Sequence, residues 1–156
     1  MPSSMNQFSG GITTPSAGEY AISASASGGG SISPSGVALV ASGGDSATYT
    51  FTAGEGYVLT NVLVDGTPQG AITEKQFIGV SADHTIEALF AVKTYTISVT
   101  QSTGGTITPD PAASVGHGAD SEAFMIVPES NHYVQDVRVD EQSVGVLWEY
   151  TFTDVS

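Results

Sequence analysis

The chain has 156 residues, 40% of them hydrophobic, enough for one domain or two small ones with apolar cores. Sixteen acidic residues face only three bases, Lys75, Lys93 and Arg138, for a net charge of −13. That balance excludes nucleic acid and disfavours anionic membranes, leaving a solvated acidic surface or a basic partner. The absence of cysteine excludes disulfides, thiol catalysis and cysteine-ligated zinc.

In chain order, residues 1–19 are polar and glycine-containing with little periodicity, and read as a leader or linker in which only Phe8 and Ile12 could anchor. Met1 to Met5 lacks the basic and apolar regions of a signal peptide, so either export is encoded outside this segment, the expectation that the Gly-, Ser-, Thr- and Val-rich composition favours, or the protein is not exported. No apolar run reaches the length of a membrane span.

From Tyr20 a period of two begins. Tyr20, Ile22, Ala24 and Ala26 fall on one face of a strand. Gly28-Gly29-Gly30 predicts a tight turn, Ser31–Ser33 a short return strand stopped by Pro34, and Val37–Val40 another apolar run. Tyr49 and Phe51 point inward between Thr48, Thr50 and Thr52. Tyr57–Val64 follows, with Val62 and Val64 inward, and Asp65-Gly66 turns the chain. A strand around Phe77 and a last strand, His84–Phe90, with Ile86, Ala88 and Phe90 inward, close the unit. No segment shows a helical apolar period. The expectation is an all-β fold of small antiparallel, sandwich-like domains.

The pattern then recurs at an offset of 75 residues. Over 20–81 against 95–156 one position in three is identical without a gap, including Gly29-Gly30 with Gly104-Gly105, Pro34 with Pro109, Asp45-Ser46 with Asp120-Ser121 and Phe77 with Phe152. The expected organisation is a leader over 1–19, one β unit over 20–92 and a second over 93–156. The aromatic of the middle strand slips from Tyr57 to Tyr133, predicting a bulge or loop change. Ser156 corresponds to Ser81, so the second unit lacks its closing strand here. Three explanations stand: a fragment of a longer protein, a unit that tolerates the loss, or a strand supplied by another chain. In the last case Phe8 and Ile12 of the leader are the candidate donor anchors, and the product would be a filament.

The order Tyr-x-Ile-x-(Ala/Val), Gly-Gly, Ile-(Ser/Thr)-Pro, Gly-Tyr-Val, Val-x-Val-Asp-Gly and His-Thr-Ile-Glu-Ala-x-Phe resembles the divergent internalin B-type repeats of bacterial cell-surface and secreted proteins. The resemblance covers 20–92 and 95–156. It implies an extracellular stalk, spacer or adhesive role, no catalytic residues, and β-grasp as the alternative architecture.

The candidate chemistry is thin. Ser81, Asp83 and His84 invite a hydrolase reading, but lie together before a strand, whereas triads are assembled from distant positions. His117 and His132 have no partner at metal-ligand spacing. Asp136, Asp140 and Glu141 could approach calcium, without the spacing of an EF-hand loop. No metal and no cofactor is expected. Trp148, the single tryptophan, stands at the place of Thr73 and is a candidate for carbohydrate or protein contact as well as for packing. Three functions follow: a non-enzymatic extracellular repeat module, a filament subunit assembled by strand exchange, or a carbohydrate-binding accessory module of a secreted enzyme.

Overall fold

A computed structural model describes residues 15–110 and 113–156. The leader positions Phe8 and Ile12 lie outside the described residues. Everything described is strand, turn or irregular chain, with no helix, so the fold is all-β. The chain divides into two units, one from residues up to 54 and 59–90, the other from 55–58 and 91–156.

The first unit has two sheets. β1 (Glu19–Ala26) pairs antiparallel with β3 (Gly36–Ala41), Ile22 opposite Ala38. On its other side β1 pairs with β8 (His84–Val92), and here the strands run parallel, Ile22 opposite His84 and Ala26 opposite Ala88. β5 (Tyr57–Val64) and the short β6 (Thr67–Pro68) complete the order β3-β1-β8-β5-β6. The smaller sheet is β2 (Gly30–Ser33), β4 (Tyr49–Ala53) and β7 (Glu74–Lys75), antiparallel throughout. Alternation sends one face of each strand into a shared core: Ile22, Ala24, Val40, Val62 and Ile86 from the larger sheet, Ile32 and Tyr49 from the smaller, with Phe77 and Val80 from the loop after β7. Ile22, Val62 and Ile86 have no solvent exposure at all. The expected inward faces of Tyr20–Ala26, Tyr49–Phe51 and Ile86–Phe90 are the faces turned from solvent.

Polar groups fasten the loops. The Ser46 hydroxyl accepts the Phe77 N–H at 3.0 Å, and the Asp45 carboxylate accepts the Gly79 N–H at 2.8 Å. Tyr49 and Phe77 meet edge to face, with ring centroids 6.1 Å apart. The Tyr49 hydroxyl has no partner among the described residues.

The second unit carries the same frame 75 positions on. β9 (Thr94–Ile97) pairs with β11 (Ala113–Gly116), as β1 does with β3. β10 (Gly105–Thr108), β12 (Phe124–Pro128) and β15 (Glu149–Tyr150) form a three-stranded sheet in the order of β2-β4-β7. β13 (Val137–Val139) and β14 (Gln142–Gly145) form a hairpin. The Ser121 hydroxyl accepts the Phe152 N–H at 3.0 Å, the Asp120 carboxylate accepts the Asp154 N–H at 3.0 Å, and Phe124 meets Phe152 edge to face at 5.9 Å. Turn geometry recurs as well: Gly29 and Gly104 have φ of 99° and 98°, and Asp65 and Asp140 both have φ of 49°. Asp is among the few non-glycine residues that take this left-handed region at low cost.

The units differ in one respect. In the first, β8 lies between β1 and β5 and joins them in one sheet. In the second, among the described residues no strand lies between β9 and β13, and the larger sheet is two separate two-stranded pieces.

Candidate functional site

The interrupted sheet of the second unit is the feature that stands out. β1 remains a strand to Ala26 because β8 supplies hydrogen-bond partners for residues 22–26. The corresponding strand β9 ends at Ile97, and residues 98–101 have no strand pairing. Likewise β5 runs for eight residues, whereas its counterpart β13 covers three, and residues 132–136 are irregular. An extended segment needs neighbours for its N–H and C=O groups, and where the middle strand is missing the flanking strands lose regularity. This is the physical form of the expected slip at Tyr133, which lies in irregular chain at 80% exposure.

The opening between the two pieces has an apolar floor. Ile97, Ile107, Phe124, Ile126, Val137 and Phe152 line a hollow of about 90 Å³, open towards Ser98–Thr100 and Arg138. Ser98, Thr100, Ile107, Ile126, Val137 and Arg138 also border a wider, open depression of about 1,210 Å³ that extends over residues 101–106 and 131–136. Ile97, Ile107, Val137, Phe152 and Val155 are half-buried, while their counterparts Ile22, Ile32, Val62, Phe77 and Val80 are buried.

Asp140 directly follows β13, whose Val137, Arg138 and Val139 line the hollow. Its counterpart, Asp65, shows what such a residue does: one carboxylate oxygen accepts the Thr85 N–H at 2.8 Å, the other meets His84 Nδ1 at 2.7 Å. The Thr85 N–H holds the Asp65 carboxyl below the usual carboxylate range, with His84 adding to the effect and partial burial opposing it. Asp140 makes no side-chain hydrogen bond among the described residues. Asp136 nearby accepts from the Ser143 hydroxyl at 2.6 Å and from Arg138 Nε at 3.1 Å, and these bonds lower its pKa.

The remaining candidates are spent on structure or lie apart. Asp83 accepts the Ala21 N–H at 2.8 Å, and the His84 ring stacks on Phe77 with centroids 4.7 Å apart. His117 Nδ1 lies 3.3 Å from the Tyr95 hydroxyl, and His132 Nδ1 is 3.1 Å from the Ser130 carbonyl. Among the described residues no three His, Asp or Glu side chains converge as metal ligands. Trp148 precedes β15; its carbonyl accepts the Ile126 N–H at 2.8 Å and its side chain is 58% exposed, so it is fixed by backbone and presented to solvent.

No family model, curated protein or solved structure matches the chain.

Proposed function

We propose that the protein is a non-enzymatic, extracellular tandem β module whose role is to bear load as a stalk or spacer. The observation that supports this most directly is the parallel pairing of β1 with β8. The chain enters the first unit at the start of β1 and leaves at the end of β8, which are opposite ends of one ladder. Tension applied through the chain slides the two strands past each other. Every hydrogen bond between Ile22–Ala26 and His84–Ala88 is then strained at once, rather than one after another as in unzipping. The resemblance to repeats of bacterial surface proteins and the use of Asp65, Asp83, His84 and Ser46 as structural fastenings agree with this role.

The test is single-molecule force spectroscopy on the full chain, which has no native cysteine and so accepts handles at chosen sites. Handles at Glu19→Cys and Val92→Cys load the β1/β8 ladder in shear. Handles at Glu19→Cys and Ala82→Cys pull from one end and peel it. The first pair is expected to require the larger rupture force in the same folded protein. Equal forces in the two geometries would remove the mechanical argument.

A further inference from the structure

The 75-residue offset makes each unit a control for the surface chemistry of the other. The two part on the smaller sheet. In the first unit its outward positions are Ser31 and Ser33 on β2, Thr50 and Thr52 on β4, and Thr73 just before β7, all exposed and all hydroxyl-bearing. In the second unit Met125, Val127 and Trp148 stand in the places of Thr50, Thr52 and Thr73. We propose that this surface of the second unit docks a short basic segment of another protein, in which Lys or Arg alternates with aliphatic side chains.

The surface is apolar by substitution, not by incomplete folding. Met125 and Val127 are 44% and 52% exposed while Phe124 is buried, so alternation along β12 turns the pair outward. The Ile126 N–H bonds the Trp148 carbonyl, which sets Trp148 at the edge of the sheet beside this pair. Val146, two residues earlier, is exposed in the place of Ala71. The interruption of the larger sheet plays no part. The first unit has β8 in place and is followed by further chain, and still leaves Thr50, Thr52, Ala71 and Thr73 exposed. A second unit completed and continued in the same way leaves Met125, Val127 and Trp148 open as well. Large apolar side chains grouped in water mark contact surfaces.

Charge selects the occupant. Glu149 lies directly opposite Met125 in the β12/β15 ladder and is exposed, so it shares the outward face. Glu122 and Glu129 flank β12 at its two ends. Arg138, one of the three bases of the chain, is paired with Asp136 at 3.1 Å. Aliphatic side chains of the segment cover Met125 and Val127, one cation rests on the Trp148 ring and another pairs with Glu149. A second copy is a poor occupant, because it brings another charge of −13. The apolar area on offer, on the order of 300 Å², also falls well short of the roughly 800 Å² per partner of a stable interface. The bases of the chain stand singly, and none lies in the leader over 1–19. A sugar would need hydrogen-bonding side chains beside Trp148, where Met125 and Val127 stand. The inference adds a binding surface to the load-bearing role and does not rest on it.

The test restores the residues of the first unit. Met125→Thr, Val127→Thr and Trp148→Thr together install what the first unit exposes at the same positions, with no change in charge. A fluorescent decapeptide alternating Lys and Val is titrated against the full chain. Wild type is expected to bind it saturably at a single site, and the triple variant at least about tenfold more weakly. Decapeptides alternating Lys with Ser, or Glu with Val, should bind wild type at least about tenfold more weakly too. The reverse exchange in the first unit, Thr50→Met with Thr52→Val and Thr73→Trp, should add a second site. Glu149→Lys leaves the apolar side chains in place and should weaken binding about threefold or more, a readout that stands if the triple variant does not fold. Absence of binding, or equal affinity of wild type and triple variant, overturns the inference. Equal affinity for the Lys–Val and Lys–Ser peptides also overturns it, since charge alone would then account for binding. Self-association of wild type that the triple variant lacks would make a second copy the occupant. Retention on cellulose that Trp148→Thr abolishes, without peptide binding, would make it a sugar. Either result overturns the assignment to a basic segment.

Discussion

Asp65 illustrates how one side chain ties local geometry to distant pairing. It adopts a left-handed turn conformation after β5, which frees both carboxylate oxygens to cross to the start of β8. The sequence marks Asp65-Gly66 as a turn and His84 as the start of a strand, yet nothing in the spacing shows that the two meet, because their contact is made by sheet order. The Ser81, Asp83 and His84 cluster was legible only as proximity in sequence; the fold directs Asp83 to Ala21 and His84 to Asp65 and Phe77. Since the Thr85 N–H lowers the Asp65 pKa in the folded chain, the carboxylate stabilises the fold above the ordinary carboxylate pKa of 3.8. That contribution is lost as pH falls through the lower, folded-state value. Thermal melts of the wild type and Asp65→Asn should therefore differ at neutral pH and converge in acid. A difference that stays constant down to about pH 2 would show that the charge plays no part.

At the level of elements, alternation located most of the strands, because each unit has one wet and one dry face. It found Ile22-Ala24, Tyr49-Phe51 and Ile86-Ala88 as inward sets, and the structure buries or half-buries all six. Direction was not legible: a period of two is the same in parallel and antiparallel strands, and β1 with β8 is a parallel pair within otherwise antiparallel neighbours. Strand length was also not legible. Residues 95–101 repeat the pattern of 20–26, yet only residues up to Ile97 are strand, since alternation specifies faces while partners specify regularity. The repeat offset did show which element has no counterpart among the described residues, and that is where the sheet of the second unit is interrupted. Amide exchange on the free chain should reflect this. Residues 22–26 exchange slowly, and 98–101 exchange at rates near those of unstructured chain, despite similar sequence. Comparable protection in the two stretches would mean that an interaction in solution covers residues 98–101.

For the molecule as a whole, the two units differ in how much apolar surface they remove from water. The first buries Ile22, Ile32, Val40, Tyr49, Val62, Phe77, Val80 and Ile86 around one centre. In the second, the buried apolar residues among those described are Val115 and Phe124, and Met125, Val127, Val146 and Trp148 are exposed. Each aliphatic or aromatic side chain left half in water forfeits on the order of 1 kcal/mol relative to full burial. Five positions are downgraded in this way, from Ile97 to Val155, against a net stability of about 5–15 kcal/mol for an ordinary domain. The second unit should therefore melt first, and the full chain should show two transitions instead of one. Trp148 is the single tryptophan and lies in the second unit, so its fluorescence assigns the lower transition without any substitution. The loss of near-ultraviolet signal from the Tyr49–Phe77 pair belongs to the upper one. A single transition in which the tryptophan signal and the strand signal coincide would mean that the units are stabilised together, and the second would then owe its fold to the first.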